Sequence, residues 1–167
     1  MGEKLTESDV KKIQAEIEHR KLVVRKEALE AVKEARAHGD LSENFEYHAA
    51  KKDKNQNESR IRYLERMLKN AVIISDQSGA DEVGLNNMVE LYFEEDDETD
   101  RFKLVTSIRG NSMKGYISTE SPLGKAILGH KAGDRVMVEV NSSYGYYVEI
   151  KSIEKNQTDE DDKIRSF

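Results

Sequence analysis

Two periods divide the chain. From Thr6 to Ala37 there is neither Pro nor Gly, and Val10, Ile13, Ile17, Val24, Ala28, Ala31 and Ala35 recur at spacings of three and four. That spacing aligns them on one face of an α-helix. Thr6 followed by Asp9 offers an N-cap with a reciprocal capping box. His38-Gly39-Asp40 breaks the run, and a second Gly- and Pro-free stretch from Leu41 to Val72 carries Ala50, Ile61, Leu64, Leu68 and Ala71 on its own stripe. If the chain turns back near residue 40, facing positions should share an index sum. Ala31 with Ala50, Val24 with Asn57, Ile17 with Leu64, Ile13 with Leu68 and Val10 with Ala71 all sum to 81. One long antiparallel coiled coil satisfies that rule. Lys54 and Asn57 lean inward in its middle, where polar groups weaken the seam and fix its register. Each arm of about 30 residues spans roughly 45 Å. Alanines at 28, 31, 35, 49 and 50 keep the turn end slender.

After Ser75 the period becomes two. Met88–Phe93, Phe102–Ile108, Val136–Val140 and Tyr146–Ile153 alternate and are rich in β-branched and aromatic residues. Glu94–Asp100 reads as an acidic turn and Asn141–Gly145 as a hairpin loop. Ser121 to Gly129 reads as a short helix, with Ser121 as N-cap, Pro122 as its first residue and Gly129 as its stop. The expected fold class is α+β: a coiled-coil domain over 1–75 with its tip at 39–46, then a small antiparallel-sheet domain over 76–155. The tail over 156–167, with four acids at 159–162, is too polar to bury and is expected to be disordered.

Composition narrows the classes. The 167 residues contain no Cys, which removes disulfides and thiolate metal sites. No apolar run approaches ~18 residues and no apolar segment follows the amino terminus, so neither a membrane span nor a secretory signal is expected. A cytoplasmic monomer is the expectation. The net charge of -6 is unevenly spread: residues 1–70 hold 16 Lys and Arg against 14 Asp and Glu, whereas 71–167 hold 11 against 19. The near-neutral half can carry local patches even though the whole is acidic.

Chemistry concentrates at the turn. Asp40 and Glu43, three apart, admit two readings. In one, Asp40 is the N-cap and Glu43 the N3 partner of a capping box, both suited to the positive end of the helix dipole. In the other, two hard oxygen donors on an exposed tip suit Mg²⁺, with the rest of its shell supplied by a partner. His38 and His48 flank the turn and allow a softer ion such as Zn²⁺, or ordinary hydrogen bonding. Lys51, Lys52, Lys54, Arg60, Arg62 and Arg66 make the second arm basic, either as a solvated flank or as a guide for a phosphate backbone. Phe45 and Tyr47 either staple the turn or, if exposed, stack on a base.

GDLSENFEYHAAK at 39–51 closely resembles the tip signature of the bacterial GreA/GreB transcript cleavage factors. ISTESPLGKAILGHKAGDRVMVEV at 117–140 resembles that family's carboxy-terminal domain, and the likeness spans about residues 5–154. SPLGKAILG and the HAA after the tip lean toward the GreA branch. The resemblance implies a coiled coil inserted into the secondary channel of RNA polymerase, stimulating hydrolytic cleavage of the 3′ end of backtracked nascent RNA. It places shared Mg²⁺ binding and water positioning on Asp40 and Glu43, with no cofactor in the free protein. Ser42 and Asn44 would support the loop, and Phe45 would lie near the polymerase active site. Lys51, Lys52 and Arg60 are the basic residues that would face RNA. The resemblance also implies an FKBP-like carboxy-terminal domain docked on the polymerase rim through Glu120, Ser121 and Pro122. Phe45 departs from the Ala found in many family members.

Three function classes follow. The first is a cleavage factor acting through the polymerase's own active site, not as an enzyme itself. The second is a channel-binding regulator that modulates or inhibits without cleaving. The third is a free-standing enzyme, a prolyl isomerase or tip metallohydrolase, which rests on fold analogy alone.

Overall fold

A computed structural model of the chain describes residues 2–39, 43–155 and 157–166. Two compact units emerge: Val10–Ala71, and Val72–Ser166 together with Lys4–Asp9. Among the described residues no helix is long and apolar enough to cross a membrane.

The first arm comprises α1 (Glu7–His19), a π-helical stretch (Arg20–Val24) and α2 (Arg25–Ala37); the returning arm is α3 (Phe45–Asn70). The Thr6–Asp9 capping box forms as the sequence implies, Asp9 N donating to Thr6 Oγ1 at 3.1 Å and Thr6 N to Asp9 Oδ2 at 3.0 Å. Cross-arm pairs straddle the expected register: Glu16 with Arg60, Arg20 with Asn57, Lys21 with Glu65 and Arg25 with Glu58. The seam is apolar where Ile13, Ile61, Leu64 and Met67 are buried, and polar further along, where Asn57 and Arg60 are buried instead. Asn57 Nδ2 donates to the Arg20 carbonyl at 3.2 Å while its Oδ1 accepts from Arg20 Nη1 at 3.0 Å. A side-chain donor at that carbonyl accounts for the wider π turn, in which Arg20 O also accepts from Arg25 N. The apolar spacing alone gave no sign of it.

The second unit is a five-stranded sheet ordered β5-β4-β3-β7-β6, from β3 (Met88–Phe93), β4 (Glu98–Val105), β5 (Tyr116–Ser118), β6 (Arg135–Asn141) and β7 (Tyr144–Glu154). Two-residue strands β1 (Lys4–Leu5) and β2 (Val72–Ile73) pair separately in parallel. The sheet is mixed rather than wholly antiparallel, because β4 and β5 run parallel. The expected strand over 102–108 ends at Val105, and Ser107–Arg109 turns as a 3₁₀ segment. α4 (Pro122–Ile127) packs Ile127 into a core of Val89, Leu91, Leu104, Val136, Val138, Val148 and Ile150.

The acidic tail departs from expectation. Asp162 is buried; Lys103 Nζ reaches its two carboxylate oxygens at 3.1 and 2.9 Å, and Arg109 Nη1 reaches it at 2.8 Å. Lys103 Nζ also donates to the Thr158 carbonyl at 2.7 Å, and Arg165 N to that of Ile108 at 2.7 Å. Residues 157–166 are held by charge, not by apolar burial. Judged on polarity alone they looked unable to pack, but two buried cations on the sheet side require carboxylates.

Candidate functional site

The turn between the arms is built on one asparagine. α2 ends at Ala37, and His38 N donates back to the Ala35 carbonyl at 3.1 Å. Gly39 has a φ of 138°, a conformation that side-chain-bearing residues rarely adopt. Asp40, Leu41 and Ser42 lie outside the described residues. Asn44, not Asp40, caps α3: its Oδ1 accepts from Tyr47 N at 3.0 Å, and its Nδ2 donates to the Ala35 carbonyl at 2.6 Å. One amide closes the second helix and ties the turn to the first.

That cap moves Glu43 out of the helix. It precedes the capping residue, so it is not the N3 partner of a capping box, and it is exposed. Phe45, the first residue of α3, is 86% exposed and staples nothing, whereas Tyr47 is buried as the anchor. The Arg36 guanidinium lies 5.5 Å from the Tyr47 ring centroid and, hydrogen-bonded to the phenol, lowers its pKa. The positive end of a 26-residue helix therefore presents an uncapped carboxylate beside an exposed ring.

Both histidines have ordinary partners. His38 Nδ1 lies 2.9 Å from Glu46 Oε2, and this hydrogen bond raises the imidazole pKa. The His48 ring meets the Tyr47 ring edge-on at 5.4 Å. Among the described residues no group of three or more His, Asp or Glu side chains could hold a metal ion. The described tip offers two exposed carboxylates, Glu43 and the His38-bonded Glu46, and Glu43 suits Mg²⁺ only as part of a shell completed elsewhere.

The basic residues divide. Lys51 and Lys52 are exposed and line a shallow groove with His48, Asn55, Gln56 and Ser59. Arg60 does not face solvent: it is buried in the seam, Nε donating to Glu16 Oε2 at 2.8 Å and Nη2 to Glu16 Oε1 at 3.2 Å. Burial alone would raise the Glu16 carboxyl, but hydrogen bonds from Arg60 and Arg20 hold it below its ordinary value. In the sheet domain Glu120 is exposed and pairs with Lys4 at 3.0 Å, and Pro122 is an exposed first helical residue. Ser121 is committed to structure: Oγ accepts from Gly124 N at 3.1 Å and donates to the Ser118 carbonyl at 2.7 Å. A Cβ at Gly124 would fall 1.9 Å from that carbonyl, so only glycine fits.

Sequence reasoning missed Asn44 as the cap because Asp40 and Glu43 already satisfied the usual spacing. The overlooked signal was Asn44 directly before the Phe45-Glu46-Tyr47 turn.

Comparison with known proteins now decides the family. Residues 3–73 match the model for the amino-terminal domain of transcription elongation factors, and residues 77–155 match that for the GreA/GreB carboxy-terminal domain. The chain belongs to the GreA/GreB family of transcription elongation factors. It is 45% identical to transcription elongation factor GreA of Thermoanaerobacter pseudethanolicus over 81% of this chain and 87% of that one. It is 40% identical to GreA of Lachnoclostridium phytofermentans over 86% and 91%, and 42% identical to GreA of Geobacillus kaustophilus over 81% and 86%. Among solved structures it is similar to that of the transcription factor Gfh1, 28% identical over 92% of this chain and 97% of that one, with a TM-score of 0.45. That likeness is too distant to place side chains.

Proposed function

We propose that this family member enters the secondary channel of RNA polymerase, in the cytoplasm and as a monomer, and stimulates cleavage of the 3′ end of backtracked nascent RNA. The observation that carries the reading is the exposed, uncapped Glu43 at the turn, with capping assigned to Asn44. A carboxylate that does no work for its own helix is available to another molecule. Asp40, outside the described residues, would be the second carboxylate, and the two would hold Mg²⁺ jointly with polymerase. Mg²⁺ bound there would polarise a water for attack on the phosphodiester. Glu43 would orient that water by accepting a hydrogen bond from its O–H, and the exposed Phe45 ring stacks on an unpaired base at the RNA end. Ser42 supports the loop. Lys51 and Lys52 steer the phosphate backbone along the exposed flank of α3. Glu120 and Pro122 contact the polymerase rim, with Ser121 holding the helix start that presents them.

The test is cleavage of a defined backtracked complex by the full chain and by Asp40→Ala and Glu43→Ala. Loss of an outer-shell partner of a metal already lowers activity roughly 10–100-fold, so loss of a direct ligand is expected to lower cleavage further while polymerase binding survives. A double variant that cleaves like the parent would overturn the mechanism. The exposure of Phe45 also favours a regulator that blocks the channel without cleaving. A parent chain that binds polymerase and suppresses its activity with no cleavage would establish that reading instead.

A further inference from the structure

A small cavity lies where the β3–β4 and β6–β7 turns meet at one end of the sheet. Phe93, Glu95, Asp96, Tyr144 and Tyr146 line it, enclosing about 160 Å³. Its walls are aromatic. Tyr146 lies 6.1 Å from Phe93 and 6.0 Å from Tyr144 between ring centroids, both pairs tilted rather than stacked. Its rim is acidic, and Tyr144 Oη donates to Glu95 Oε2 at 2.6 Å, linking the two turns. Among the described residues no lysine or arginine forms an ion pair with Glu95 or Asp96, although the neighbouring Glu94 has one.

That neighbour shows what the combination takes. Arg135 donates to both Glu94 oxygens, at 2.6 and 3.0 Å, and its guanidinium carbon lies 3.5 Å from the Tyr147 ring centroid. A carboxylate from the 94–97 turn and a tyrosine from β7 thus already hold a guanidinium within the domain. At the same end of the sheet Glu95 and Asp96 stand beside Tyr144 and Tyr146, the same two side-chain types without a cationic side chain between them among the described residues. The same acids raise the Tyr144 phenol pKa, through the hydrogen bond to Glu95 first, so the local field is negative.

We propose that this cavity binds a guanidinium group supplied by an arginine in a basic segment of a partner protein. The exposed Tyr144 ring takes one planar face, as Tyr147 does for Arg135, and Glu95 and Asp96 accept its N–H groups. Carboxylates repel phosphates and anionic lipid, which excludes nucleic acid and membrane as occupants. A hydrated divalent cation asks for more oxygen ligands than two carboxylates and a phenol already bonded to one of them supply. A planar, weakly hydrated cation fits aromatic faces and a carboxylate together.

The probe is an acetylated tetra-arginine peptide titrated into the full chain, followed by amide NMR shifts and affinity. Shifts are expected to centre on residues 93–97 and 144–147. Tyr144→Ser, at an exposed site, is expected to weaken binding roughly threefold, and Glu95→Gln at least as much. Glu139→Gln removes the same charge from exposed β6 and is expected to leave affinity unchanged. A charge-matched tetra-lysine peptide is expected to bind more weakly. Glu139→Gln weakening binding as much as Glu95→Gln would overturn the site in favour of diffuse attraction. Unchanged tetra-arginine affinity in Tyr144→Ser would also overturn it.

Discussion

Arg60 in the helical hairpin and Arg109 in the sheet domain are both buried, at 5% and 1% exposure, yet their surroundings differ. Arg60 meets Glu16, whose side chain keeps 21% exposure and also accepts from Arg20. Arg109 donates from Nε to Asp9 Oδ1 at 2.7 Å and from Nη1 to Asn86 Oδ1 at 2.7 Å and Asp162 Oδ2 at 2.8 Å; Thr106 Oγ1 adds a bond to Asp9 at 2.7 Å. The hairpin's interior is a narrow seam, so the ion pair at its margin stays partly wet through Glu16. The sheet domain has a full interior, and its charges stand or fall together. Water access, more than residue type, sets what each arginine does.

The comparison breaks most sharply if the two arginines are truncated alike. Arg109→Met leaves Asp9 and Asp162 buried without their guanidinium, and breaking a buried pair in that way costs about 3–5 kcal/mol. Chemical unfolding of the full chain should show that loss in the sheet domain. Arg60→Met leaves Glu16 with Arg20 and some water, and about 1–2 kcal/mol is expected. Equal losses from the two variants would mean the hairpin seam is as dry as the domain core.

The same distinction explains what could be read in the sequence. The hairpin and its capping box follow from local spacing, because each arm contacts mainly its antiparallel partner. Met88–Phe93 is recovered to the residue by alternation. The Asp9–Arg109–Asp162 network is invisible that way, since it joins residues 53 and 100 positions apart. Nothing local marks Asp162 as different from the acids beside it. At the tip, Glu43 is legible as a candidate donor, but of its two readings the capping box fails because Asn44 caps the helix. The side-chain amide of Asn44 won by also reaching Ala35.

Caps allow a second, milder comparison. Asn44→Ala removes the bond to Tyr47 N and leaves the Ala35 carbonyl with the His38 N–H but not the side-chain amide, so about 1–2 kcal/mol of local stability should be lost. Amide exchange at Glu46–His48 should report it, with the sheet domain unchanged. Ser121→Ala is expected to cost about 1 kcal/mol, felt at Leu123–Lys125. Asn44→Asp keeps the Oδ acceptor but not the donor to Ala35, and should recover part of the loss. Full recovery would mean the second bond contributes nothing.

The smallest expected effect is one of pH, and its sign at the hairpin turn is opposite to that of the two carboxylates. Lys103 and Arg109 overcome burial to depress the Asp162 pKa below 3.8. Its contribution is therefore present above that pH and fades as acid protonates the folded form. Glu16 behaves alike below 4.5. His38 runs the other way: Glu46 raises it above 6.5, so its contribution is present below 6.5 and is lost as pH rises through the higher folded value. All three contribute together between about 4.5 and 6.5. Because His38 and Glu46 are exposed, the effect should stay within the turn. Protection factors at Glu46–His48 should fall in the parent chain as pH rises above 6.5 and through the higher folded value, while those of β3 and β7 stay level. Glu46→Gln should flatten the tip profile. If it keeps its slope in Glu46→Gln, a group other than the His38–Glu46 pair governs the turn.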